Sequence, residues 1–326
     1  ENTQSDVVTT ADNGANGSIV VRTLGGHLTL NAGTATDDLA AGAAVVAHGS
    51  GNVRLGAEGA LTSFTAGAGA DVRSTTGHVT LTAAASVSLN AGVDVVTGGS
   101  GTLDLAAGTG SLTMAADATL RTLNGDVRIT VGDGVSDRVV LGDGGAANAN
   151  VSLFTTGSVV DADGDDLDAD VAANGLRVVA GKGFGLLAGN SLAQAVNAIE
   201  TAVGTLSVLV RGSDGVNVLE ADALVIGDVV SLVDGTKSVS VGTVNADGTT
   251  TVNTENTQSD VVTTNVNGSN GSIVVRTVSG ALTLNEGTSA DDLDADAAVV
   301  AHGSGNVLLQ AQGAGTNLTA NANADV

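Results

Sequence analysis

The chain has 326 residues, a formal net charge of −24 and almost no aromatic side chains. Because 35 acidic residues face only 11 basic ones, phosphate would be repelled, and no nucleic-acid partner is expected. Three phenylalanines without tryptophan or tyrosine cannot fill a thick globular core. Apolar runs stay far below the roughly 18 residues of a membrane helix, so no membrane insertion is expected. Regularly spaced Val and Leu argue against disorder, and the lack of cysteine excludes disulfides.

A long tandem repeat organises the chain. Residues 1–10 read ENTQSDVVTT, and the same ten letters return at 255–264. Residues 255–326 align without a gap on residues 1–72, with 53 identical positions. The sequence therefore predicts one complete unit at 1–254 and the start of the next unit at 255–326, continuous with the first. Such arrays are typical of molecules built for length, and we interpret the sequence as an excerpt of one.

Short alternating segments predict strands throughout the first half of the unit. Each has a turn residue followed by polar and apolar residues in alternation: GHLTL at 26–30, GNVRL at 51–55, GHVTL at 77–81, GTLDL at 101–105 and GDVRI at 125–129. Alternation buries one face of each strand. The absence of proline suits a ladder in which every residue donates a hydrogen bond.

The spacing of these strands predicts the fold. A first series of apolar positions recurs at nearly constant intervals: Leu28, Val53, Val79, Leu103, Val127 and Val151. Two further series are interleaved with it: Ile19, Val45, Val72, Val95 and Leu120, then Leu61, Val87 and Leu112. Three strands per turn of about 25 residues predict an all-β, three-faced parallel β-solenoid. About ten such turns would span on the order of 50 Å per unit. A two-faced turn of about 17 residues is the alternative.

Two acidic segments are candidate calcium sites. Carboxylates that alternate around a turn can converge on a hard cation. The candidate ligands lie in DADGDDLDAD at 161–170 and DDLDAD at 291–296: Asp161, Asp163, Asp165, Asp166, Asp168, Asp170, Asp291, Asp292, Asp294 and Asp296. The counterpart of the second segment, DDLAAG at 37–42, lacks two of these carboxylates. The alternative is therefore a solvated acidic loop.

One segment departs from the strand pattern. In SLAQAVNAIETAVG, residues 191–204, four apolar positions follow helical spacing: Leu192, Val196, Ile199 and Val203. Ser191 with Gln194 reads as a capping box, and Gly204 as a stop. The sequence predicts a short helical excursion at 191–204. The alternative is an irregular turn of the coil.

The histidines and glycines do not predict catalysis. His27 is replaced by Ala281 in the second copy, while His48 and His302 occupy equivalent positions in AVVAHGSGN. No second histidine or cysteine accompanies them at ligand spacing, so a structural role at a turn is expected. The glycine clusters lack the lysine and hydroxyl of a phosphate-binding loop. The chain is therefore not expected to be an enzyme.

The alternating strands, the acidic, proline-free and cysteine-free composition, and the block NAIETAVGTLSVLVRGSDGVNVLEADAL at 197–224 resemble filamentous-haemagglutinin-like proteins and other giant repetitive bacterial surface adhesins. That resemblance implies a right-handed parallel β-helix that is secreted to the cell surface. It also implies a role in attachment, biofilm cohesion or surface filaments. The family's secretion domain has no counterpart in this sequence.

Three functional hypotheses follow. The leading one is a non-enzymatic segment of an extracellular filament or stalk, whose units stack end to end and whose rods associate laterally through divalent cations. The second is an adhesin rod that binds glycans or a host through its Thr, Ser and Asn faces, although aromatic platforms for sugars are missing. The third is a β-helix polysaccharide lyase, against which the scattered basic residues argue.

Overall fold

The computed structural model describes residues 4–10, 17–33, 37–38, 42–132, 139–141, 144–163, 168–193, 195–264, 271–288, 291, 293–295 and 297–326. Within these residues all regular structure is β-strand, and no helix is present that could cross a membrane. The strands of the first half are β1 (Gln4–Ser5), β2 (Val7–Thr9), β3 (Ile19–Thr23), β4 (Leu28–Leu30), β5 (Asp37–Asp38), β6 (Ala43–Ala47), β7 (Val53–Ala57), β8 (Phe64–Ala66), β9 (Asp71–Ser74), β10 (Val79–Ala83), β11 (Val87–Leu89), β12 (Asp94–Thr97), β13 (Leu103–Ala107), β14 (Leu112–Met114), β15 (Thr119–Thr122), β16 (Val127–Val131) and β17 (Val139–Leu141).

The second half continues in the same style but contains longer strands. They are β18 (Gly144–Thr155), β19 (Ser158–Asp161), β20 (Val171–Ala180), β21 (Gly183–Phe184), β22 (Ile199–Val210), β23 (Gly215–Glu220), β24 (Leu224–Ile226), β25 (Lys237–Val244), β26 (Thr250–Asn256), β27 (Val261–Thr263), β28 (Ile273–Thr277), β29 (Leu282–Leu284), β30 (Val299–Ala301), β31 (Val307–Gln310) and β32 (Leu318–Ala320).

The strands stack in parallel register in three ladders that the chain visits in turn. Ladder A runs through β2, β6, β9, β12 and β15; ladder B through β3, β7, β10, β13 and β16; ladder C through β4, β8, β11, β14, β17, β19 and β21. The long strands β18, β20 and β22 turn a corner, with their first part on ladder A and their second part on ladder B. Long parallel sheets of this kind are compatible with a β-solenoid.

Strand spacing agrees with the sequence in the middle of the unit and differs at its start. Val53, Val79, Leu103, Val127 and Val151 are partners on ladder B, as the first apolar series predicts. The series is wrong at Leu28, because Ile19 is the residue that pairs with Val53. Likewise Val45 pairs with Val7, and Val87 with Phe64. Partners on the described strands of ladders A to C are always farther apart in the sequence than the roughly 17 residues of a two-faced turn. Three ladders therefore describe these strands better than two.

The interior is a continuous thin core. Inward-facing Val, Leu, Ile and Ala form one hydrophobic cluster that extends from Ile19 to Ala324 and so includes both copies. Phe64 and Phe184 are fully buried in it, which shows how few large rings this interior needs. Small β-branched side chains stacked on their equivalents in the next turn fill the space between the ladders.

The predicted helix at 191–204 is wrong. The described part of 191–198 consists of a turn and irregular chain with an isolated bridge at Asn197, and strand β22 begins at Ile199. Ser191 is held by Asp214, whose carboxylate accepts its backbone N–H at 2.6 Å and its hydroxyl at 2.7 Å. Val196 is 51 % exposed, so the apolar stripe of a helix does not form. Residues from Ile199 onward pair with β20 and β23, and this strand pairing is favoured over the helix that the local apolar spacing predicted. Gln194 of the predicted capping box lies outside the described residues.

An antiparallel hairpin of β25 and β26 leaves the coil after Gly227 and lies against the outer side of ladder B. Its backbone donates to polar side chains from successive turns: Ser240 N–H to Asp126 (2.7 Å), Gly242 N–H to Thr102 (2.9 Å) and Val244 N–H to Thr80 (2.8 Å). Asn150 donates to the Ser238 carbonyl at 2.8 Å. The hairpin therefore connects several turns of the coil. It covers the polar side chains of Asp126, Thr102, Thr80 and Asn150 and also provides their hydrogen-bond partners.

Candidate functional site

An acidic cluster lies where the chain passes from ladder C to ladder A. Asp161 ends strand β19, Asp170 immediately precedes β20, and Asp163 lies in the loop between them. One carboxylate oxygen from each of the three lies within 4.8 Å of the other two, and this is the one such group of three among the described residues. Asp161 and Asp170 are buried, whereas Asp163 is exposed. The positions of β19 and β20 on neighbouring ladders thus bring together carboxylates from both ends of the acidic segment.

Neighbouring polar groups orient two of these carboxylates. Asp161 accepts the Asp163 backbone N–H at 3.0 Å and the Asn197 side-chain amide at 3.0 Å. Asp170 accepts the Glu200 backbone N–H at 2.9 Å. Burial and then the charge of Asp161 raise the pKa of Asp170 far above its usual value. Burial also acts to raise the pKa of Asp161, but hydrogen bonds from Asp163, Asn197 and Asp170 outweigh it, and that pKa is lowered.

The residues present fit a calcium ion. Oxygen ligands at 2.3 to 2.6 Å from an ion lie at most about 5 Å apart, which matches the spacing of this cluster. The Asn197 Nδ2 atom donates to Asp161 at 3.0 Å, and the Oδ1 atom of the same amide is buried with no hydrogen-bond partner among the described residues, so a flip of this amide would offer a fourth oxygen. Asn197 was not predicted as a ligand. Its amide belongs to the following turn of the coil, which local sequence spacing does not reveal.

The other predicted ligands do not join this cluster. Asp168 is exposed, and Asp165 and Asp166 lie outside the described residues. In the second segment, Asp291 forms a bridge with Gln258, and the Asp294 backbone N–H donates to Asp260 at 3.4 Å. Asp292 and Asp296 also lie outside the described residues. The candidate site therefore consists of Asp161, Asp163, Asp170 and Asn197.

The junction between the two copies is a continuation of the ladders. The first three strands that lie wholly in the second copy pair in parallel with the last strands of the first copy before its hairpin: β27 with β22, β28 with β23 and β29 with β24. Their residues Val261, Ile273 and Leu282 are each 0 % exposed. Strands β30, β31 and β32 then add the following turn. The second copy thus adds directly to the ladders of the first.

The histidines that recur in the repeat make recurring backbone contacts. His48 Nδ1 lies 2.6 Å from the Thr9 carbonyl, and His302 Nδ1 lies 2.8 Å from the Thr263 carbonyl. The contact is the same in both copies, since Thr9 and Thr263 are equivalent. These rings therefore tie a turn to the strand below it.

Comparison with known proteins adds no relative: no family model, no curated protein and no solved structure matches the chain. The resemblance to filamentous-haemagglutinin-like proteins stays a prediction that rests on residue pattern.

Proposed function

We propose that this chain is a non-enzymatic structural segment of a long extracellular filament or stalk, in which tandem units stack end to end as one right-handed, three-faced β-solenoid. The handedness and the surface location come from the resemblance in sequence. The three ladders visited in turn support a coil. Its function is to provide length and a repeated surface for cell-surface structure, adhesion or biofilm.

One observation carries this proposal. Equivalent residues of the two copies are buried where another turn of the coil stacks on them and exposed where none does. Val7 is 46 % exposed at the start of the chain, whereas its equivalent Val261 is 0 % exposed on top of the first unit. At the far end, Val307 is 37 % exposed, whereas its equivalent Val53 is fully buried under the next turn. In both pairs the buried residue is the one with a further turn of the coil stacked on it, which supports end-to-end stacking of units.

The length of one unit follows from the ladders. Eight strand-to-strand steps lead from Val21 to Val261 through Leu55, Leu81, Leu105, Ile129, Leu153, Val178 and Val208. At about 4.8 Å per step, one unit spans roughly 40 Å. This is shorter than the roughly 50 Å expected from the sequence at the same rise per step. The hairpin and the long first turn account for the difference, because they contain residues that do not add a further strand to the ladder and so do not lengthen the coil.

Imaging of the native assembly tests the filament. Cryo-electron microscopy of material isolated from its source is expected to show thin fibres with an axial spacing of about 4.8 Å and a longer period of about 40 Å. Separate short rods that end in a distinct tip would contradict the filament. They would instead assign the function to the tip and leave this segment as a spacer.

Calcium binding at Asp161, Asp163, Asp170 and Asn197 is proposed as a stabilising addition to the filament. A cation would link strand β19 to β20 and to the segment before β22, so successive turns would be joined by its ligands. Added calcium should raise the melting temperature of the chain, and chelation should reverse the rise. Asp170→Asn should abolish this response, and exposed Asp117→Asn should keep it. An identical response in both variants would contradict the site.

A further inference from the structure

The boundary of the sequence repeat does not coincide with a boundary in the structure. The first six residues of the unit, ENTQSD at 1–6, occur again at 255–260, which we call the joint segment. Strand β26 spans Thr250–Asn256, so the repeat boundary between residues 254 and 255 falls inside a hairpin strand. Glu255 and Asn256 are paired with Val239 and Lys237 of the same hairpin.

The start of the joint segment completes the hairpin of the preceding unit. Lys237 Nζ donates to the Asn256 side chain at 2.8 Å, and the Ser238 hydroxyl donates to the Glu255 carbonyl at 3.3 Å. The Glu255 carboxylate also lies 3.7 Å from Arg128 and 3.9 Å from Arg177 on ladder B. All of these partners belong to the unit that precedes residue 255.

The rest of the joint segment is buried against that same unit. Gln258 is 1 % exposed, and its amide donates to the Val178 carbonyl at 3.1 Å and to the Ser207 hydroxyl at 3.0 Å. Ser207 in turn donates to the Ser259 carbonyl at 2.7 Å. The Val208 backbone N–H donates to the Asp260 carbonyl at 2.8 Å. These contacts return the chain from the hairpin to ladder B.

The end of the joint segment has the same backbone shape with and without a preceding unit. Asp260 and its equivalent Asp6 both have a φ of 70°, a left-handed conformation that is uncommon for residues other than glycine. In both copies the hydroxyl of the preceding serine donates to this aspartate at 3.0 Å. The segment at the start of a unit is therefore already shaped for the contacts that its equivalent makes.

We propose that residues 1–6 of each unit are a docking segment for the unit before them, so that the structural unit runs from residue 7 to residue 260. The partner is a second copy of this sequence, through its hairpin and the residues equivalent to 177–178 and 207–208. This inference rests on the tandem array of the proposed function. The hairpin of each unit would then be completed by the first residues of the next unit.

Matched cysteines test this docking in the full 326-residue chain, which has no native cysteine. Ser259 is 0 % exposed, whereas its equivalent Ser5 is partly exposed. A water-soluble thiol reagent should label Ser5→Cys at least tenfold faster than Ser259→Cys. Equal labelling rates in the two folded variants would overturn the proposal.

A second pair of variants keeps the test decisive if a cysteine disturbs folding. Gln258→Ala should lower the melting temperature by several degrees, and Gln4→Ala should leave it unchanged. Equal effects would again overturn the docking. Both measurements use the soluble chain and need no fibres. Short native rods together with slow labelling of Ser259→Cys would therefore contradict the filament while supporting the docking.

Discussion

The two copies of residues 1–72 differ in their surroundings far more than in their sequence. Val7 at the open end of the coil is 46 % exposed, and Val261 at the junction is 0 % exposed. Equivalent glycines differ in the same way: a side chain at Gly26 would meet open space, but at Gly280 it would meet the backbone of Asp222 and Ala223. The comparison teaches that the strands of the second copy gain burial from the first copy, as neighbouring repeats do in linear repeat proteins.

Equivalent strands of the two copies also lie on different ladders. Ile19 of β3 belongs to ladder B, where it pairs with Val53. Its equivalent Ile273 pairs with Val216, which pairs with Phe184 on ladder C. Each equivalent strand is thus shifted by one ladder, so one unit does not make a whole number of turns of the three ladders. Successive hairpins and acidic clusters should consequently face different sides of the rod.

The largest predicted difference between the copies comes from placing a charge at the junction. Val261→Asp should lower the free energy of unfolding of the junction by about 4 kcal/mol, because the carboxylate would be buried without a partner. Val7→Asp should cost less than about 1 kcal/mol, since this position is solvated. Limited proteolysis should release residues 255–326 from the first variant and leave the second intact. Equal resistance of the two variants would contradict the dependence on neighbours.

A second prediction uses pH to weaken the junction. Glu220 is 0 % exposed and pairs with Thr277 of the second copy, and burial raises its pKa to about 7. A raised pKa contributes stability that is present below pH 4.5 and is lost as the pH rises through 7. We expect a loss of about 3 kcal/mol in the free energy of unfolding across this range.

Urea denaturation of Glu220→Gln isolates this contribution. The buried Asp126, whose pKa is also raised by burial, adds its own pH dependence equally to every variant. The difference between the native chain and Glu220→Gln should therefore fall as the pH rises from 5 to 8. A difference that stays constant over this range would assign the buried glutamate a purely structural role.

The sequence predicted the repeating parallel strands but not the hairpin that interrupts them. Alternating Val and Leu specify parallel strands, because a one-residue shift would expose the whole apolar set. The hairpin also has a local signal: Val239, Val241 and Val244 precede NADG at 245–248, a typical hairpin turn, and Val252 follows it. At 199–203, apolar positions fit both a helix and a strand, and pairing with β20 decides between them.

The candidate site could be predicted in part. Asp161, Asp163 and Asp170 share one acidic segment, so their proximity was expected from local spacing. Asn197 comes from the next turn of the coil and reaches Asp161 across the stacked strands. Its position depends on the long strands β20 and β22, whose partners lie 30 residues apart in the chain, whereas partners on β13 and β16 lie 24 apart. Local sequence patterns do not contain that change.

Substitution of the equivalent glycines Gly26 and Gly280 should change the free energy of unfolding less than Val261→Asp or the ionisation of Glu220. Gly280→Ala places a methyl group 2.4 Å from the Ala223 nitrogen, so the backbone must move. We expect it to lower the free energy of unfolding by about 2 kcal/mol. Gly26→Ala meets nothing within 4 Å and should change it by less than about 0.5 kcal/mol. Denaturant titration of both variants checks this, and equal losses would indicate that the cost comes from local backbone preference.

The smallest predicted difference concerns the charge at the repeat boundary. Glu255 is partly exposed and lies 3.7 and 3.9 Å from Arg128 and Arg177, so each ion pair alone contributes little. Burial lowers the pKa of Arg177, however, and the Glu255 charge opposes that effect. Glu255→Gln should therefore cost about 1 kcal/mol, and less at high salt because the pairs are screened.

Glu1→Gln is the matched control for Glu255→Gln. It removes the same charge from the same sequence, and when residues 1–326 are prepared as a separate chain, Glu1 has no preceding unit to contact. Its free energy of unfolding should match that of the native chain at every salt concentration. If both variants lost stability equally, the glutamate would act within its own unit. A loss confined to Glu255→Gln would instead show that the first residue of one unit stabilises the unit before it.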